Sequence, residues 1–193
     1  MRTVVYALAV TLGALSQGCV GDGDVVAVAE RRALFDLAAF VDHQDSVLAG
    51  AAVRKRVRVG EVDEERVIQD VDWAAELAPF AGANVNRPAL VDEYRSERVG
   101  GGGGGAYTLV LTPLDSTEQR VRELRIVCAE GTADGDCPYA AVREVLVRTG
   151  FESVIADTEQ RLRWTPAGYE VRSRQRVVGS EERVLVLEGE VVR

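Results

Sequence analysis

Cysteine is the residue type in this chain best suited to covalent chemistry, and Cys19 has a telling context. One basic residue, Arg2, precedes the apolar run Val4–Leu15, and Ser16-Gln17-Gly18 leads directly to Cys19. The apolar run has the length of a signal peptide and is too short to cross a bilayer as a helix. A small residue followed by cysteine at the end of such a run is typical of bacterial lipoprotein signals. We therefore expect cleavage before Cys19 and lipidation of its thiol. The alternative is an ordinary secretory signal with an incidental cysteine.

The other two cysteines, Cys128 and Cys137, form an even pair once Cys19 is lipidated. The segment 129–136 between them is rich in turn-forming residues and follows a strand-like run. In an oxidising compartment we expect a disulfide between them, which would stabilise the fold by about 2–3 kcal/mol. Two free thiols are the alternative. A metal site is disfavoured, because no second cysteine pair or nearby histidine completes one.

Other candidates for chemistry are isolated in the sequence. His43 is the only histidine, which excludes a histidine-based triad and a multi-histidine metal site. Asp134 and Asp136 invite a calcium interpretation, but the further ligand positions of a calcium loop are missing, so we expect solvated turn acids. The glycine run 100–105 lacks the Lys-Ser/Thr of a phosphate-binding loop and is interpreted as a flexible insertion. The sequence predicts neither a cofactor nor a metal ion.

Two arginines are expected to face each other across a hairpin. If Trp164 pairs with Tyr169 across the intervening turn, Arg161 lies opposite Arg172, which is mildly unfavourable. One interpretation is that Glu159 and Glu170 on the same face neutralise the pair. The other is that Arg161 and Arg172 contact an anion or a lipid headgroup.

The opposite face of this hairpin is apolar and continues onto another strand. The side chains that it presents are those of Leu162, Trp164, Tyr169, Val171 and Tyr107. Such a set usually forms a core, and the alternative is a cavity that holds an acyl chain between sheet and helix.

Two helices and a series of strands must position these residues. Apolar spacing predicts a helix from Glu30 to Leu48 with Val47 on its apolar side, and a shorter helix from Asp70 to Phe80 capped by Asp72. Strands are predicted in the following segments: 53–59, 66–69, 107–111, 121–128, 141–148, 151–156, 160–164, 169–178 and 183–192. The fold class is α+β, with a curved antiparallel sheet of about 7–9 strands on one long N-terminal helix and a second short helix.

Length and charge limit the classes of function. We expect a signal peptide at 1–18, a lipid anchor and tether at 19–29, and a single domain at 30–193 of the 193 residues. The formal net charge of −8 argues against nonspecific nucleic-acid binding, which needs phosphate neutralisation. Lys55 is the only lysine, so almost all positive charge is arginine.

Several segments together resemble a group of known sequences. They are Leu34-Phe35-Asp36-Leu37, Asp72-Trp73-Ala74-Ala75-Glu76-Leu77, Asn84-Val85-Asn86-Arg87-Pro88, Leu162-Arg163-Trp164 and Gly168-Tyr169-Glu170-Val171. Their order resembles that of uncharacterised outer-membrane lipoproteins of Bacteroidota, from which the arginine-rich composition and the glycine run depart. The group has no established activity for the resemblance to imply. The order of elements is also similar, at the level of fold, to the half-barrel lipoprotein carriers of the Lol system.

Three hypotheses of function follow. The first is a lipid-anchored, non-catalytic protein of the outer membrane that binds a lipid or another apolar ligand between helix and sheet. The second is an interaction protein that docks on an outer-membrane protein complex without a small ligand, and an enzyme is the third. An unfilled apolar pocket would favour the first hypothesis, whereas a packed core with an exposed apolar patch would favour the second.

Overall fold

The computed structural model describes residues 34–100, 105–115, 118–129 and 136–193 as a nine-stranded antiparallel sheet with short helices. The strands are β1 (Ala52–Val59), β2 (Val62–Ile68), β3 (Tyr94–Gly100), β4 (Tyr107–Pro113), β5 (Val121–Cys128), β6 (Val142–Glu152), β7 (Ala156–Thr165), β8 (Gly168–Val177) and β9 (Arg183–Val192). The helices are α1 (Leu37–Leu48), α2 (Trp73–Glu76) and α3 (Ala78–Gly82), with single 3-10 turns at Val91–Glu93 and Tyr139–Ala141. The α+β class and the antiparallel sheet agree with the sequence analysis.

The sheet is a meander extended by one hairpin. Its spatial order is β2-β1-β9-β8-β7-β6-β5-β4-β3, so consecutive strands from β3 to β9 are neighbours. The β1–β2 hairpin, formed early in the chain, pairs with β9, the last strand. The two edges of the open sheet are therefore β2 and β3.

The first helix is shorter than its apolar pattern predicts. It begins at Leu37, because the Asp36 carboxylate accepts the backbone N–H groups of Ala38 and Ala39 at 3.1 and 3.0 Å and so caps it there. The predicted start at Glu30 is therefore wrong for residues 34–36, and residues 30–33 lie outside the described chain. Its apolar side also differs from expectation, since Val47 is 54% exposed while Gln44 is buried.

The predicted second helix is two short helices. Asp72 caps the first of them, as expected, by accepting the N–H of Ala75 at 2.9 Å. Pro79 lies in the first turn of α3. Proline lacks the backbone N–H that a continuous helix would need at this position, so the chain restarts its helical hydrogen bonding after Leu77.

The segment after α3 ties the start of α1 in place. Asn84 Oδ1 accepts the backbone N–H of Leu37 at 3.2 Å, and Asn84 Nδ2 donates to Asp36 Oδ1 at 3.0 Å. Asn86 adds a bond from Nδ2 to Asp36 Oδ2 at 3.3 Å and accepts the N–H of Leu34 at 3.2 Å. Two asparagines thus hold both the cap residue and the backbone that it caps.

The predicted strands differ from the observed ones in several places. The connection expected between the predicted strands 53–59 and 66–69 is much shorter, because β2 already begins at Val62 and Gly60 takes the positive φ of 58°. The predicted break at Thr149-Gly150 lies inside β6, and the chain turns at 153–155 instead. Strand β3 was not predicted at all. By contrast, β8, β9 and the turn between β7 and β8 are where the sequence places them, but β7 begins at Ala156, four residues before the predicted Gln160.

One face of the sheet, which we call the covered face, packs against the helices. It buries a single apolar core in which the largest side chains from the helices are Phe40, Trp73 and Phe80, and those from the strands include Leu111, Leu124, Ile126 and Leu162. The alternate residues of the central strands point to the other face, which we call the open face. Arginine and glutamate side chains cover most of it.

Candidate functional site

The five residues predicted to line a cavity lie together in the core. Tyr107, Leu162, Trp164, Tyr169 and Val171 are 3%, 2%, 4%, 5% and 9% exposed. The Trp164 ring packs edge-on against Phe40 of α1 with 4.9 Å between ring centroids, and the Arg98 guanidinium lies 3.6 Å over the Tyr107 ring. All five side chains are thus buried in the same apolar cluster as those of the helices.

Tyr169 also belongs to a polar cluster that the sequence analysis missed. Its hydroxyl donates to Glu76 Oε2, and Lys55 Nζ donates to both carboxylate oxygens of Glu76 at 2.8 Å. Burial, followed by the hydrogen bond to Glu76, raises the pKa of Tyr169 far above its ordinary value. The hydroxyl thus keeps its proton at neutral pH, and the cluster joins α2 to β1 and β8. The feature of the sequence that could have pointed to this cluster is that Lys55 is the only lysine of the chain.

The pairing of β7 with β8 has the predicted register. Trp164 lies opposite Tyr169, Leu162 opposite Val171, and Arg161 opposite Arg172. The pairing of β6 with β7 adds a residue that was not predicted, because Arg148 lies opposite Arg161. We call Arg148, Arg161 and Arg172 the arginine row. All three side chains are exposed on the open face, and neighbouring positions in such a row are about 5 Å apart.

The arginine row differs from its surroundings in how its charges are balanced. Within the described residues, the only carboxylate paired with the row is Glu159, which lies 3.1 Å from Arg161. Glu170, the second expected neutraliser, forms no such pair there. Most other arginines of the open face have a carboxylate partner: Arg54 with Glu190, Arg56 with Asp63, Arg58 with Glu188, Arg125 with Glu123, Arg163 with Glu144, and both Arg174 and Arg176 with Glu182.

A groove of about 370 Å³ adjoins the row. Gly150 contributes no side chain to its floor, and a Cβ built there would lie 3.4 Å from Nε of Arg122, a residue of the neighbouring strand. Arg122 and Arg148 therefore border the groove at the end nearest the row. Glu152 and Asp157, which pair across β6 and β7, border its other end.

Exposed apolar side chains gather at one end of the sheet. We call Phe151, Val154, Ile155, Val177 and Val178 the apolar tip; they are 60%, 94%, 70%, 39% and 77% exposed. The tip comprises the β6–β7 and β8–β9 turns, which are joined by a bond from Val178 N–H to the Ile155 carbonyl at 3.0 Å. The sequence analysis missed it because 151–156 was assigned to a strand. The feature that could have revealed the tip is the presence of apolar residues, such as Val154 and Ile155, in a turn, where polar residues are usual.

The turns of the tip are held by local hydrogen bonds. Ser153 Oγ donates to the Ala156 carbonyl at 2.8 Å, and the Ala156 N–H donates to Ser153 Oγ at 3.0 Å. The Ser180 N–H closes the second turn on the Val177 carbonyl at 3.0 Å. The exposed valines and isoleucine are thus presented by backbone that is already ordered.

The structure joins Cys128 and Cys137 in a disulfide, with 6.0 Å between their Cα atoms. Cys19, Asp134 and the glycines at 101–104 lie outside the described residues, so the lipidation, calcium and insertion predictions stay predictions. His43 is partly exposed, with its ring centroid 5.9 Å from that of Tyr139. Across the described ranges, no three histidine, cysteine or carboxylate side chains converge to hold a metal ion. The helices of that same part of the chain are too short or too polar to cross a bilayer.

Comparison of the chain with protein-family models, with curated proteins and with solved structures finds no match. The case for a function therefore rests on the covered face, the arginine row and the apolar tip.

Proposed function

We propose that this protein is a non-catalytic docking protein of the cell envelope, anchored by a lipid on Cys19 and bound to a protein partner through its apolar tip. The observation that carries the proposal is the contrast between the two apolar sets. The residues expected to line a ligand cavity are packed in the core, whereas those of the tip stand in solvent. This is the pattern that favours docking over an internal ligand.

The envelope location rests on two features of the cysteines. The segment before Cys19 has the order of a lipoprotein signal, and Val20 follows it where inner-membrane retention would place aspartate. The Cys128–Cys137 bond supports an oxidising compartment. An outer-membrane lipoprotein of the type found in Bacteroidota fits both features.

The tip has the composition of a protein-binding surface. Four of its five members are at least 60% exposed, which costs solubility unless a partner covers them: Phe151, Val154, Ile155 and Val178. Their ordered turns reduce the entropy lost on binding. An apolar centre on ordered backbone is the usual arrangement of an interface core.

The rim of the tip indicates the chemistry of the partner. Glu152, Asp157 and Glu181 form no ion pair within the described residues, whereas Arg174 and Arg176 are already paired with Glu182 at 3.3 Å. A rim with both signs of charge is typical of protein interfaces. It gives no net attraction to an anionic bilayer, and neither does the chain's net charge of −8. Because the charges of the rim that have no ion pair in the described chain are acidic, we assign the tip to a protein with an apolar segment flanked by basic residues.

A lipid held between helix and sheet is the less supported alternative. Such a ligand would have to displace Phe40 from the Trp164 ring, where the centroids are 4.9 Å apart. It would also have to separate α2 from the sheet against the Lys55–Glu76 ion pair at 2.8 Å.

Photo-cross-linking in cells that make the protein tests the docking proposal. A photoreactive residue is placed at Val154 of the tip and, as a matched control, at Val62, which is 55% exposed in the β1–β2 hairpin. We expect a protein adduct from position 154 only, mapped to an apolar segment next to lysine or arginine. Ile155→Asp should weaken binding of that purified partner at least about tenfold, while Val62→Asp should leave it unchanged.

Three results would overturn the proposal. One is an adduct made only with lipid, which would assign the tip to a membrane. The second is an adduct with a second copy of the chain, which would make the tip a dimer contact. The third is equal cross-linking from positions 154 and 62, which would show no preference for the tip.

The anchor is tested separately by metabolic labelling with radioactive palmitate. We expect label in the wild-type chain and none in Cys19→Ala. The matched control, Cys128→Ala with Cys137→Ala, should keep the label because the disulfide takes no part in acylation. Unlabelled wild-type protein would contradict the anchor and leave an ordinary secretory signal.

A further inference from the structure

We propose that the arginine row, together with Arg122, is a binding site for the phosphate groups of an anionic ligand. This site is separate from the apolar tip and does not depend on the docking proposal. Its basis is an arrangement of charge that the fold itself does not balance.

The first step of the argument is the cost of the arrangement. Arg148, Arg161 and Arg172 are direct cross-strand neighbours, and like charges placed in this way destabilise a sheet. Elsewhere on the open face the same strands place a carboxylate beside arginine, as Glu144 is placed 2.6 Å from Arg163. Glu123 lies opposite Arg148 at the end of the row, but its carboxylate pairs with Arg125 at 2.7 Å, so the row keeps three like charges side by side.

The second step is the charge available for a ligand. Glu159 engages Arg161 through two hydrogen bonds of 3.1 Å to one carboxylate oxygen. In the described chain Arg148 and Arg172 form no ion pair, and neither does Arg122 beside the Gly150 floor. Three guanidinium groups therefore keep their donors for an external acceptor.

The third step is the kind of acceptor that fits. The row extends for about 10 Å across three strands, a length over which its guanidinium donors can contact one phosphate-sized group or two adjacent ones. A carboxylate has two oxygens and one charge, which a single guanidinium satisfies. A phosphate group offers more oxygens and up to two charges, so it can engage two or three guanidinium groups together.

The groove restricts where such a ligand can bind. Glu152 and Asp157 at the end near the tip repel phosphate, whereas Arg122 and Arg148 attract it at the other end. Glu182 is shared by Arg174 and Arg176 at 3.3 Å, so this acid is already balanced. The phosphate groups are thus directed to the row and away from the tip.

Isothermal titration of the purified full-length Cys19→Ala chain, which cannot carry the proposed acyl anchor, with inorganic triphosphate tests the site. Co-sedimentation of the same chain with phosphatidylglycerol vesicles tests the same chemistry on a lipid. Phosphatidylcholine vesicles are the neutral control. We expect binding that weakens as salt is added. Triphosphate binding alone would point to a soluble ligand, and vesicle binding as well would point to a lipid headgroup.

Variants decide whether the row is responsible. Arg148→Gln with Arg172→Gln should weaken triphosphate binding at least about tenfold, since each charge-assisted contact has about that effect. The matched control is Arg54→Gln with Arg163→Gln, two open-face arginines that already have partners at 2.6 Å; binding should stay within about twofold. Glu159→Gln should tighten binding, because it releases Arg161.

The proposal is overturned if neither probe binds, or if the control pair loses as much affinity as the row pair. It is also overturned if poly-glutamate binds as tightly as triphosphate, which would assign the row to an acidic protein segment. Loss of the docking partner in Ile155→Asp leaves these outcomes unchanged, so the two proposals fail separately.

Discussion

At the scale of single residues, Gly189 is tightly constrained by a neighbouring aromatic ring. It lies opposite Tyr169 across β8 and β9, and a Cβ built on it would lie 2.3 Å from the tyrosine ring. The ring has little freedom to move away, because it is 5% exposed and its hydroxyl donates to Glu76. Glycine is required here by the close approach of the ring.

Gly189→Ala is therefore expected to destabilise the protein by about 2–3 kcal/mol, as overpacked core positions do. Urea unfolding of the two purified chains measures the difference. Gly82→Ala is the matched control, because its Cβ would meet nothing within 4 Å at the exposed end of α3. The control should change stability by less than about 0.5 kcal/mol. Equal losses in both variants would contradict the role given to the ring.

Tyr94 gives the fold a dependence on alkaline pH. Its hydroxyl donates to the Val121 carbonyl at 2.8 Å, and burial raises its pKa to about 12. The unfolded tyrosine has a pKa of about 10, so the folded state binds the proton more tightly. Stability is therefore complete below pH 10 and falls as pH rises from 10 towards 12.

Tyr94→Phe tests this dependence. The variant loses the hydrogen bond to Val121 and should be less stable by about 1 kcal/mol at pH 7. Its stability should fall less steeply between pH 10 and 12, because the titrating group is gone. If the stability of wild type and variant fell equally steeply with pH, the alkaline sensitivity would belong to other groups. Tyr169→Phe would then be the next variant to measure.

Between elements, the clearest dependence is that of α1 on a distant loop. The side chain of Asn84, 47 residues after Leu37, accepts a hydrogen bond from the Leu37 backbone N–H. Apolar spacing extended the predicted helix back to Glu30 because it took no account of the Asp36 cap, and a local pattern contains no trace of the Asn84 bond that supports this start. The register of the β7–β8 hairpin could be predicted because a short turn and alternating residues determine it locally.

The residues of the arginine row also divide into two that a local pattern predicts and one that it does not. Arg161 and Arg172 were found from sequence because one hairpin pairs them, whereas Arg148 needed the pairing of β6 with β7. That pairing was hidden because Thr149-Gly150 has the composition of a turn. In the structure Thr149 is 7% exposed within β6, so burial of the continuous strand overrides the local preference.

Asn84→Ala should destabilise the fold by about 2 kcal/mol, because the backbone N–H groups of Leu37 and Asn86 lose their acceptor and Asp36 loses a donor. Circular dichroism during urea unfolding measures the loss. Ser46→Ala serves as the control on α1, since its hydroxyl is exposed, and should alter stability by less than about 0.5 kcal/mol. A neutral Asn84→Ala would mean that water replaces the amide without cost.

For the molecule as a whole, β9 unites the two parts of the sheet. It pairs with β8 on one side and with β1 on the other, so the strand pairing that joins the first hairpin to the meander is made by the last strand. The edges are less secure: nearly every residue of β2 and β3 is exposed, and each strand has one neighbour. Charged side chains such as Glu64 and Arg95 protect these edges against pairing with other chains.

This architecture predicts a graded pattern of amide hydrogen exchange. Amides of β6, β7 and β8 should exchange only on global unfolding, because both neighbouring strands and the helix-covered core hold them. Amides of β2 and β3 should exchange faster by local opening, as expected for edges with one neighbour. Slow exchange in β2 or β3, equal to that of β7, would show that another chain covers that edge. The arginine row lies on the slowly exchanging strands, whereas the apolar tip lies on turns between them. Ligand on the row should therefore leave edge exchange unchanged, while a partner on the tip should protect only its two turns, at 153–156 and 177–180.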